Sequence, residues 1–119
     1  MTTPIEAVLV PLASYARGHA TGEPRHFRDA FLPTAHVEGV RDGDFTSWDL
    51  DGYCTLFNGL PAADEHLRVR TVDRVEVRGS VATATMSLNH GSSVFTDMFV
   101  LVDGPEGWRI ANKVYHRHD

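Results

Sequence analysis

Cysteine is all but missing: Cys54 is the one thiol in 119 residues, so no internal disulfide can form. Basic charge is also scarce. Eleven Lys and Arg stand against sixteen Asp and Glu, and the formal charge of −5 argues against a nucleic-acid partner. No apolar run is long enough to cross a bilayer, and the N-terminus lacks the charged start of a signal peptide. With the single thiol, this predicts a cytoplasmic protein with no membrane partner. There is no Gly-rich phosphate loop, repeat, low-complexity tract or linker, so one domain over residues 1–119 is expected. Metal-ligand spacing is missing too. None of the seven histidines pairs with another at helical spacing beside a Glu, and His116 and His118 are a terminal pair two apart. We expect no metal and no cofactor.

What is present is an ordinary globular composition. The 42% hydrophobic and 23% charged residues suffice for a real core at this length. The stretch Ser80–His118 organises the chain. Ser80–His90 alternates, with Ala82, Ala84, Met86, Leu88 and His90 on one face, the mark of a half-buried strand. Gly91-Ser92-Ser93 turns the chain. Val94–Val102 is apolar on both faces, as in a strand covered on both sides. Asp103–Glu106 reads as a four-residue turn, and Gly107–His118 returns as the last strand of a β-meander. Such a turn pairs Val102 with Gly107, Phe99 with Ile110 and Asp97 with Asn112. A similar turn after His90 pairs His90 with Phe95 and Leu88 with Asp97. One face then carries Phe95, Asp97, Phe99, Trp108, Ile110, Asn112, Val114 and His116. A slip of one residue in either turn would move half of these to the other face.

Upstream, Thr3-Pro4-Ile5-Glu6 is a capping box with proline at the first helical position. Ile5, Val8, Leu9, Leu12, Tyr15, Ala16 and His19 follow as one buried stripe. Pro11 inside that helix should kink it. Thr21-Gly22-Glu23-Pro24 starts a second helix that buries Phe27, Ala30 and Phe31, and Pro33 ends it. Ala35–Val40 and Phe45–Ser47 read as strands around Arg41-Asp42-Gly43-Asp44. Thr46 or Ser47 should cap a third helix, Asp49–Phe57, burying Leu50, Tyr53, Cys54 and Phe57. Leu67–Arg78 is a long strand whose alternation breaks near Val72-Asp73, which predicts a β-bulge. The expected fold class is α+β: three N-terminal helices, near 4–20, 24–32 and 48–58, on the concave face of a bent, mostly antiparallel sheet, cone-shaped.

With this element order, the chain resembles the nuclear transport factor 2-like superfamily, which includes ketosteroid isomerases, scytalone dehydratase and SnoaL-like cyclases. The resemblance spans essentially the whole chain. It is carried by Tyr15-Ala-Arg-Gly-His-Ala-Thr-Gly-Glu-Pro24, Phe31-Leu-Pro-Thr-Ala-His36, Phe95-Thr-Asp-Met-Phe-Val-Leu-Val102 and Trp108-Arg-Ile-Ala-Asn-Lys-Val-Tyr-His116. The last strand looks most like the branch labelled putative lumazine-binding. The resemblance implies a cone that admits a small apolar ligand, and a dimer formed through the sheet. It also implies that Tyr15 and a protonated Asp97 form an oxyanion-binding pair, as in the isomerases. The base that pair needs has His36 and Glu38 in its region. His36, His90 and Asn112 are similar in residue type to the scytalone dehydratase set.

Read from the residues themselves, Asp97 among Phe95, Met98 and Phe99 is either a site residue or a hydrogen-bonded register pin with Asn112. Apolar neighbours would raise its pKa unless a cation or several donors reach it. Tyr15 and His36 join Asp97 as catalytic candidates. His90, Asn112, His116, Phe95, Phe99 and Trp108 are candidate ligand contacts. His19, His26, His66 and His118 read as solvated. Arg68, Arg70, Arg74 and Arg78, opposite Glu76, read as a solvated face or dimer rim. Cys54 reads as core. Thr96, Met98, Val100, Ala111 and Tyr115 make the other sheet face apolar enough for a homodimer. Two functions fit: a cofactor-free isomerase, dehydratase or cyclase acting by proton transfer, or a non-catalytic binder of a small apolar, aromatic or heterocyclic molecule. A dimeric scaffold is the third alternative.

Overall fold

The computed structural model describes residues 2–91 and 93–118. Helix α1 runs Pro4–Thr21 and α2 Arg25–Ala30; strands β1 (His36–Arg41) and β2 (Asp44–Asp49) form a hairpin. Helix α3 is Leu50–Cys54, and a 3₁₀ turn, Glu65–Leu67, precedes β3 (Val69–Arg78). Strands β4 (Val81–His90), β5 (Ser93–Gly104) and β6 (Gly107–His118) complete a six-stranded sheet of order β2-β1-β6-β5-β4-β3. Every pairing is antiparallel except β1 with β6. This is the expected α+β architecture. No helix among the described residues is long and apolar enough to cross a membrane.

Local chemistry explains the helix ends. Thr3 Oγ1 accepts from Glu6 N at 3.1 Å and Glu6 Oε2 accepts from Thr3 N at 3.4 Å, the reciprocal capping box. The helix continues through the buried Pro11 to Gly22, whose φ of 72° gives the left-handed cap that side chains resist. The third helix ends at Cys54, short of its apolar pattern, and its cap is Asp49 rather than Thr46 or Ser47. Asp49 Oδ1 accepts from Gly52 N at 2.7 Å, and β2 extends to Asp49.

Burial alternates along β4 and β5, so Ala82, Ala84, Met86 and Leu88, with Asp97, Phe99 and Leu101, face the helices. Val8, Leu12, Tyr15, Phe27 and Phe31 cover them. The β4–β5 and β5–β6 turns are both tighter than expected. His90 pairs with Ser93, and Gly104 with Gly107, each two residues nearer the turn. An even shift preserves faces, so Asp97 keeps its inward position, opposite Met86 rather than Leu88.

The decisive departure is a bulge in β6. Leu101 pairs with Ile110 but Val100 with Asn112, so Ala111 is extra. Beyond it every β6 side chain changes face. Lys113 and Tyr115 turn inward, while Asn112, Val114 and His116 turn outward, against expectation. Gly39 makes room for Tyr115: a Cβ there would lie 2.7 Å from the phenol ring. The expected bulge in β3 is present between Val72 and Arg74. It splits the arginine row, leaving Arg68 and Arg70 partly buried and Arg74 and Arg78 in solvent.

Candidate ligand site

One end of the sheet gathers the last residues of β1, β4 and β6 and the first of β3 and β5. There the helices and sheet enclose a cavity of about 350 Å³. Two aromatic pairs give it flat walls. Trp48 stacks on Tyr115 with ring centres 6.4 Å apart, and His90 stacks on Phe95 at 5.5 Å. Val37, Leu88 and Phe57 also line it.

Asp97 and Lys113 reach the cavity from its depths, each 4% exposed. Lys113 Nζ lies 3.5 Å from Asp97 Oδ2. Tyr15 bridges them: Lys113 Nζ donates to its hydroxyl at 2.6 Å, and the hydroxyl donates to Asp97 Oδ2 at 2.8 Å. Lys113 Nζ also sits 4.8 Å from the centre of the Tyr15 ring and 5.4 Å from that of Tyr53. Burial, then the Asp97 charge, raises the Tyr15 pKa well above the usual phenol value. Burial works against the Lys113 ammonium, yet Tyr53 and Asp97 outweigh it and raise its pKa. Lys113 is therefore a buried cation held by a phenol and a carboxylate, and Asp97 has the cation that an apolar pocket alone would deny it.

The bulge displaces several sequence candidates. Asn112 is not beside Asp97; on the other face, its Oδ1 accepts from His36 N at 3.0 Å and its Nδ2 donates to Glu38 Oε1 at 3.1 Å. His36 is exposed and points away from the cavity that its neighbour Val37 lines. His116 is exposed on the outer face, opposite Thr96, its ring 4.6 Å from that of His118. Trp108 packs against the core at the far end of β6, opposite Asp103. Phe99 is core beneath the site, edge-on to Tyr15 at 5.1 Å. Tyr115, expected on the dimer face, lines the cavity instead. Tyr15 is buried, and its one proton is committed to Asp97, so it presents no free donor of the kind the isomerase resemblance implies.

Three residues that sequence reasoning passed over belong here. Lys113 had a signal: an inward carboxylate needs a cation, and the adjacent strand holds a lysine among apolar residues. Tyr53 was read only as a helix core residue. His19 was expected in solvent, although the helical stripe includes it. It lines the cavity, and its Nδ1 is buried with no hydrogen-bond partner among the described residues. Burial, then the Lys113 charge, lowers its pKa from 6.5 to about 3, so the ring is neutral. His90 is also shifted down, by burial and Arg68. His26 is mostly covered as well, 3.4 Å from Glu23. No cluster of metal-ligating side chains occurs among the described residues.

No curated protein matches the chain. Solved structures do. A nuclear transport factor 2-like protein of unknown function from Shewanella baltica OS155 is 25% identical over 100% of this chain and 99% of its own, with a TM-score of 0.85. One from Methylobacillus flagellatus KT is 23% identical, covering 97% and 92%, with a TM-score of 0.82. A protein described as a putative ketosteroid isomerase, from Parabacteroides distasonis ATCC 8503, is 18% identical over 87% and 82%, with a TM-score of 0.62. The last two likenesses are of fold. The family described as "Putative lumazine-binding" matches residues 3–116, and with this fold the chain belongs to that family, within the nuclear transport factor 2-like superfamily.

Proposed function

We propose that the chain binds a flat heteroaromatic molecule in this cavity through a cyclic-amide edge. The observation that carries the reading is the Asp97–Lys113 pair, a buried acceptor beside a buried donor in a cavity with aromatic walls. A lactam edge presents the complement, an N–H beside a C=O, and the stacked aromatic walls suit a planar ring. Lumazine, named in the family's description, carries such edges. Titrating it into isotope-labelled protein tests this by amide NMR. Shifts should concentrate at Val37, Leu88, Phe95, Lys113 and Tyr115. No shifts, or shifts centred on the outer-face residues Met98, Val100 and Val114, would reject it.

A catalytic version draws on one further observation. His90 lines the same cavity and is held neutral, so it can accept a proton while Lys113 donates a hydrogen bond to a developing oxyanion. In that version Asp97 and Tyr15 position Lys113, and the reaction is a cofactor-free proton transfer. The outer sheet face supports a homodimer: Met98, Val100 and Val114 are about half exposed there, beside Thr96 and Ala111.

A further inference from the structure

Although the chain carries a net charge of −5, the cavity is lined by four cations and one carboxylate: Arg41, Arg68, Lys113 and Arg117 against Asp97. Their placement follows from the topology. Arg41 ends β1 and Arg117 lies near the end of β6, two strands that run parallel, so both reach the same end of the sheet. Arg68 enters that end just before β3. Lys113 is satisfied at depth by Asp97 and Tyr15, and Arg68 is held by Asp64 at 3.0 Å. The other two are uncommitted among the described residues: Arg41 forms no ion pair, and Arg117 donates to the neutral Ser93 Oγ at 3.3 Å. Inside, His19 keeps a buried Nδ1 with no hydrogen-bond partner among the described residues. The low pKa of that ring has burial as its first cause and the charges of Lys113, Arg70 and Arg68 after it.

We propose that the natural ligand is an aromatic acid: a planar ring seated between the stacked walls, with one carboxylate held at the mouth by Arg41 and Arg117. Guanidinium forks match a planar carboxylate in geometry, and two cations without an ion-pair partner among the described residues draw anions from solution. The inference rests on the heteroaromatic-binding reading above and adds the charge of the ligand.

The test compares two probes of one shape, a lumazine carboxylate and the matching neutral lumazine carboxamide, by titration calorimetry. NMR shifts locate each probe. The carboxylate should bind about tenfold tighter, as one added charged hydrogen-bond pair would give. Raising the salt concentration should narrow that gap. Arg41→Gln and Arg117→Gln should each weaken the carboxylate severalfold and leave the carboxamide nearly unchanged. If both probes bind in the cavity with equal affinity, or if the variants affect them alike, the acid is wrong and the heteroaromatic reading stands. If neither probe moves the cavity amides, both readings fall.

Discussion

Lys113 Nζ and Asp97 Oδ2 stand 3.5 Å apart on neighbouring strands, with side chains 5% and 6% exposed, and Tyr15 bridges them. An ion pair this deep makes each charge depend on the other. Lys113→Met leaves a buried carboxylate with no cation, at a cost of roughly 3–5 kcal/mol. Replacing the whole group by Tyr15→Phe, Asp97→Leu and Lys113→Met together should cost far less, since no polar atom of the three is then stranded. Urea unfolding of both variants checks this. A triple variant less stable than the single one would mean that the pair itself stabilises the fold.

Phe99 is 2% exposed on β5 and packs edge-on against Tyr15. Truncating it opens a void between sheet and helices. Phe99→Ala should lose roughly 3–5 kcal/mol in urea unfolding. A loss no larger than that of a surface substitution such as Arg74→Ala would show that the strand faces are misassigned.

His19 sets a pH dependence. Its folded pKa is depressed to about 3 from 6.5, so the unfolded chain binds the extra proton between those values. Its contribution is fully present above 6.5 and is lost as the pH falls toward 3. The unfolding midpoint should therefore drop between about pH 7 and pH 5, above the range in which carboxylates titrate. His19→Phe should flatten that drop. An unchanged slope in the variant would place the ring in solvent.

If the outer face joins two copies, sedimentation at micromolar concentration should give a dimer, and Met98→Lys with Val100→Glu should yield a folded monomer. A wild-type monomer under those conditions removes the assembly.

Much of this was legible in the sequence. Capping residues placed α1, alternation placed Asp97 inward, and its mid-strand position among aromatics marked it. The turn lengths were misjudged, but by two residues, which leaves every face intact. The bulge at Ala111 was the real obstacle. A single extra residue carries no compositional mark, yet it exchanges Asn112 and His116 for Lys113 and Tyr115 on the inner face. The inward direction of Lys113 was hidden by that one residue. The bulge in β3 was visible because it interrupts an alternation of valines, whereas Ala111-Asn112-Lys113 offers no apolar contrast to interrupt. The third helix was overextended for another reason: Phe57 continues the apolar spacing, but it packs from a turn beyond the helix end.

The most direct measurement is the affinity of lumazine for the triple variant Tyr15→Phe, Asp97→Leu and Lys113→Met against wild type, by calorimetry, with circular dichroism confirming the fold. If the buried pair reads the amide edge, the folded variant should bind at least about tenfold more weakly, the loss expected for two hydrogen bonds to charged groups. Equal affinity in a folded variant would contradict the account.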